Sequence, residues 1–160
     1  MKTKWIGLFS IAISSVGIFF GFFYLWSTPP DLPLSIAIVT TTTVGIVGVL
    51  AFVRHVIFHK EDAKALGWET ERPDWMFEVG FANLAFGCAA LIAVFANLGL
   101  KAQAVALLGY GIYLFQAAVL HGYRYFTDEK KMPIRLWNYC LLTALVAAMM
   151  IFFGISAVIG

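Results

Sequence analysis

The chain has 160 residues, 61% of them apolar and only 12% charged, against roughly 25% charged in a soluble domain; with so little charge it cannot cover a globule in polar surface. A net charge of +2 is too small and too scattered for a nucleic-acid surface, and two cysteines without C-x-x-C spacing give neither a disulfide framework nor a zinc ribbon. Phosphate-loop, dinucleotide, zinc-protease and hydrolase-elbow motifs are absent, and the composition is that of a membrane protein.

Five stretches reach the roughly 20 apolar residues needed to cross a bilayer core of about 30 Å: 5–26, 34–58, 75–98, 102–126 and 133–159. Helices are the only open-chain way to satisfy every backbone N–H and C=O in lipid. The expected fold is therefore an all-α integral membrane protein, a single bundle of five transmembrane helices forming one domain over 1–160.

The first stretch follows Lys2 and Lys4 and is longer than the 7–15 apolar residues of a signal peptide, so it reads as a retained helix. Its aromatics (Phe19, Phe20, Phe22, Phe23, Tyr24) suit a lipid-facing or subunit-facing surface, and Ser14, Ser15, Gly17 and Gly21 its packing side. Pro29, Pro30 and Pro33 then break the chain. In the second stretch, Thr40 to Thr43 need no ligand, because threonine hydroxyls bond back to the carbonyl four residues earlier. Thr41, Gly48, Ala51, His55 and His59 share an arc of about 80° on that helix. The loop from His59 to Asp74 is polar; its first half is expected to form a short interfacial helix stopped by Gly67, with Trp68 as an anchor.

Pro73 is placed to open the third helix, whose Gly80, Ala82, Ala85, Gly87, Ala89 and Ala90 allow close helix approach. Tyr110, Ala117, His121 and Tyr125 form a matching stripe on the fourth helix, so helices two, three and four are expected to make the tight centre. Cys88 and Cys140 fall at different depths and are not expected to pair.

Positive charge sets the orientation. With the N-terminus in the cytoplasm, Lys2, Lys4, Arg54, Lys60, Lys64, Arg72, Arg124, Lys130, Lys131 and Arg135 lie inside and only Lys101 outside. The expected topology is N-in and C-out, in the cytoplasmic membrane, with the lipid bilayer as partner, no nucleic acid, and room for a homo-oligomer or a larger membrane complex.

Polar residues inside such a bundle are the informative ones. Counted inward at 1.5 Å per residue, His55 and Glu78 lie about 5 Å deep, and His121 and Asn138 about 8 Å. Asn83 lies about 12 Å deep, and His59 and Arg124 sit near the boundary. His55, His59, Glu78 and His121 offer three imidazoles and a carboxylate, a set suited to a divalent transition metal, with Asn83, Asn138 and Arg124 as supporting groups. His55 and His121 could instead be axial ligands of a haem, or the cluster could relay protons or bind a polar head group entering from the cytoplasm. Against these stands a purely structural reading, in which Glu78 clamps helices through Arg54, Arg72 or Arg124. A binding or accessory role is expected over an enzymatic one, and a small oligomeric transporter is a further alternative.

The segments Phe52-Val-Arg-His55, Ala65-Leu-Gly-Trp68, Glu78-Val-Gly-Phe-Ala-Asn83-Leu-Ala-Phe-Gly87 and Gly111 through His121-Gly122 resemble a family of small bacterial integral membrane proteins of unknown function. The resemblance runs from about Leu50 to Gly122. It implies a bacterial membrane location and points to His55, Glu78, Asn83 and His121, but implies no activity.

Overall fold

A computed structural model describes residues 2–67, 71–129 and 133–160, and the regular structure among them is helical throughout. Among the described residues five helices are long and apolar enough to cross a membrane: α1 (Lys2–Leu25), α2 (Leu32–Ile57), α4 (Asp74–Phe95), α5 (Leu100–Thr127) and α6 (Arg135–Ile159). A short helix, α3 (His59–Leu66), lies between α2 and α4. The expected Trp68 anchor and the Lys130-Lys131 pair lie outside the described residues.

The helix ends follow local chemistry. Asp31 caps α2, its side chain accepting from the Leu34 N–H at 3.0 Å, which satisfies one of the free donors of a first turn. Gly67 closes α3 in the left-handed conformation, φ +66°, where a residue without Cβ is favoured. Pro73 stands at the entrance to α4.

Three segments depart from α geometry into π-helix: Thr40–Ile46, Val53–Ile57 and Arg135–Leu142. The first falls on the threonine run. The Thr42 hydroxyl donates to the Ile38 carbonyl at 2.8 Å and that of Thr43 to the Val39 carbonyl at 2.7 Å, the back-bonding that lets side chains compete for backbone acceptors.

Glycine sets the helix crossings. A Cβ on Gly48 would lie 2.6 Å from the Asn83 carbonyl oxygen and 2.9 Å from the Gly87 Cα, so α2 and α4 meet backbone to backbone. Gly17 and Gly21 of α1 abut Thr42 and Val39 of α2, and Ser35 ties the pair by donating to the Gly21 carbonyl at 2.7 Å. The most extensive contact joins α5 to α6, with Gly111 against Ile151 and Gly154 against Leu108. The close pairs are therefore one–two, two–three and four–five, which corrects the expected two–three–four centre. Glycines on the facing sides of α5 and α6 draw α5 to its sequence neighbour. Ile36, Val39, Leu107, Tyr110, Met150 and Phe153 fill the core.

The exterior is apolar. Phe19, Phe20 and Phe23 of α1 are exposed, as expected, while Phe22 turns inward onto Phe152 and Phe153. Ser14, Gly17 and Gly21 are buried and Ser15 is exposed. Such an apolar surface exceeds that of a soluble monomer. Cys88 and Cys140 are free thiols.

Candidate functional site

The start of α1, the end of α2, the start of α4, the end of α5 and the start of α6 come together at one end of the bundle, where they line a half-open cavity of about 990 Å³. Consecutive long helices therefore run antiparallel around it. Pockets of about 300–1,000 Å³ are the size that holds small-molecule ligands.

At this end the side chains form a connected polar network. Asp62, on α3, is fully buried. It accepts from Arg54 Nε, and its other oxygen lies 2.7 Å from His55 Nδ1. Adjacent residues on an α-helix point about 100° apart; Arg54 and His55 nevertheless share one carboxylate, and both fall in the π-helical turn Val53–Ile57. Burial alone raises the Asp62 carboxyl, but the His55 contact and the Arg54 charge outweigh it and hold it below the ordinary carboxylate range.

From Arg54 the network continues into α6. Arg54 Nη2 donates to the Tyr139 hydroxyl at 3.2 Å, and the guanidinium lies 5.2 Å from the Tyr139 ring centre, a cation–π distance. The His121 ring of α5 also packs on Tyr139, with the ring centres 5.2 Å apart and the planes at 31°. Arg135, also buried, donates through Nε to the Leu66 carbonyl at 3.0 Å and through Nη1 to Asp128. Thus α3 is tied to α2 through Asp62 and to α6 through Leu66. Arg124 approaches Asp128 only to 3.6 Å.

Deeper in the cavity wall Asn83 meets two tyrosines. Its Nδ2 donates to the Tyr113 hydroxyl at 3.2 Å and to the Val79 carbonyl at 2.7 Å, and its Oδ1 accepts from Tyr110. This supplies the interhelical partner a buried amide needs.

The residues singled out from sequence thus divide. His55, His121, Asn83, Asn138 and Arg124 all line the cavity. Glu78 is exposed. His59 turns away, its Nδ1 2.9 Å from the Val56 carbonyl oxygen and its ring edge-on to Phe77. Among the described residues no group of three or more His, Cys, Asp or Glu side chains is placed to hold a metal ion. The buried carboxylate is Asp62 rather than Glu78. The sequence places Asp62 on the expected short helix before Gly67 and Arg135 among the inside charges, but marks neither of them, nor Tyr139, as part of a site. The available signal was the buried face of α3, where Asp62 sits beside Ala63 and one turn before Leu66.

A family model described as "Family of unknown function (DUF6790)" matches residues 4–157. The chain belongs to the DUF6790 family. No curated protein and no solved structure matches it. The DUF6790 match extends well past the Leu50–Gly122 stretch on which the sequence resemblance rests, taking in α1 and α6 and hence every helix that lines the cavity.

Proposed function

We propose that this DUF6790 protein is a multi-pass protein of the bacterial cytoplasmic membrane, N-terminus inside, that binds a ligand within its helix bundle. The carrying observation is the cavity of about 990 Å³, lined by cationic side chains at one end and by mainly apolar, uncharged ones beyond. Five helices of membrane-crossing length and the excess of Lys and Arg at one end of the bundle support the location and the orientation. A cavity shaped by five helices suits a molecule taken up whole, and the role is binding rather than catalysis.

Gly7 offers a direct test. It lines the cavity, and a Cβ added there meets nothing within 4 Å. Gly7→Phe should therefore project into open space and leave the fold intact. Native mass spectrometry of the purified protein is expected to show a co-purifying small molecule that Gly7→Phe displaces. An unchanged bound mass in the variant would overturn the reading.

One observation favours a second role for part of the network. Asp62, Arg54 and His55 face one another directly, so this trio also fastens α3, as in the structural reading, with Asp62 in the place expected of Glu78.

A further inference from the structure

Resting on that ligand-binding reading, we infer that the occupant is an amphiphile with an anionic head group, carboxylate or phosphate, on an apolar chain. The argument lies in how charge is sorted across the wall. Lys4, Arg54 and Arg124 line the cavity together with His55 and His121, and among the described residues no carboxylate does. Asp62 and Asp128 pair with arginines from behind the wall. Asp62 is fully buried against Arg54 and His55, and Asp128 is shared between Arg135 and Arg124.

The cavity lining thus presents the cations Lys4, Arg54 and Arg124 and, among the described residues, no carboxylate, which sets a positive field at this end. Low-dielectric walls focus such a field and strengthen its pull on an anion. Arg124 is the group best placed to meet a ligand. Its 3.6 Å approach to Asp128 is longer than a hydrogen bond, and half of its side chain is exposed. Away from this end the lining is mainly apolar, with Val47, Leu50, Leu114 and Val146, and its deeper polar groups Asn83, Tyr110 and Tyr113 are uncharged and bonded to one another. A free inorganic anion would leave that part unused, and a neutral lipid would leave the cations unanswered. A molecule with one anionic head and an apolar chain uses both.

The test is binding of labelled probes to the full chain in phosphatidylcholine nanodiscs, measured over empty nanodiscs. The probes are palmitate, lysophosphatidate, a monoacylglycerol of the same chain length, and inorganic phosphate. Palmitate or lysophosphatidate should be retained in preference to the monoacylglycerol, and phosphate should not be retained. Arg124→Gln should weaken the anionic probes by about tenfold, the scale of one charge-assisted hydrogen bond, and Arg124→Lys should restore much of the loss. Gly7→Phe should abolish retention of every chain-bearing probe.

Equal retention of monoacylglycerol and palmitate, or no effect of Arg124→Gln, would overturn the anionic head group while leaving the cavity reading in place. Phosphate binding as tightly as lysophosphatidate would overturn the apolar chain. Retention of no probe would overturn the amphiphile while the co-purifying molecule still tests the cavity, and retention that Gly7→Phe leaves unchanged would overturn both readings together.

Discussion

Asp62 bonds two residues of α2 from a neighbouring helix, and its removal would leave the Arg54 charge without its carboxylate. Taking one partner from a buried ion pair costs about 3–5 kcal/mol, so Asp62→Asn should lower thermal stability in detergent by about that much. Glu78→Gln, at an exposed position, should change it little. Acid should act through the same group. The folded carboxyl titrates below its ordinary value of 3.8, so the unfolded chain takes up the proton first as pH falls. The stabilisation is complete above that value and is lost as pH drops through the lower folded-state value. Thermal unfolding across pH 5 to about pH 2 should show this loss in the native chain and a flatter profile in Asp62→Asn. At this scale the sequence was half legible. Depth counting marks His55, His121 and Asn83, because a polar residue within an apolar run stands out. Asp62 sits in a polar segment where nothing distinguishes a buried carboxylate from its solvated neighbours, except its register with Ala63 and Leu66.

Among the elements, the α2–α4 crossing is the least forgiving. A side chain at Gly48 would strike the Asn83 carbonyl and the Gly87 backbone, neither of which can rotate aside. Gly48→Leu is expected to destabilise by about 1–3 kcal/mol, the range for overpacked cores, and Gly7→Leu, with open space around it, by far less; unfolding midpoints of the two variants compare them. The five long helices, the stop at Gly67 and the small packing side of α1 were all readable, since run length, glycine and small residues act locally. Helix pairing was not, because small residues mark a face without naming its partner. The π-helical turns also escape a reading at 100° per residue. Each rotates the succeeding residues about the helix axis, and it is in such a turn that Arg54 and His55 come to share Asp62.

For the whole molecule, orientation is the property with the sharpest readout. Lys101 stands near the start of α5, while Arg54, Arg124 and Arg135 gather at the opposite end, the one where α1 begins. An N-in, C-out chain predicts an active alkaline phosphatase and a dark green fluorescent protein when each is fused after Gly160. The reverse pattern would place the cationic end outside and turn the cavity toward the other face. Overall shape follows from where apolar length ends, which the sequence carries. The cavity does not, because an empty space is made by side chains that fail to meet, and no single residue announces it.

The way α1 is fastened leaves one turn of the cavity wall plain. It is held where Gly17 and Gly21 meet α2 and again near its start, where the Lys2 ammonium lies 5.3 Å over the Phe58 ring. Between these points the turn at Gly7 is bare backbone. At Gly7 the cavity wall offers no side chain, so α1 meets whatever fills the cavity there through backbone alone.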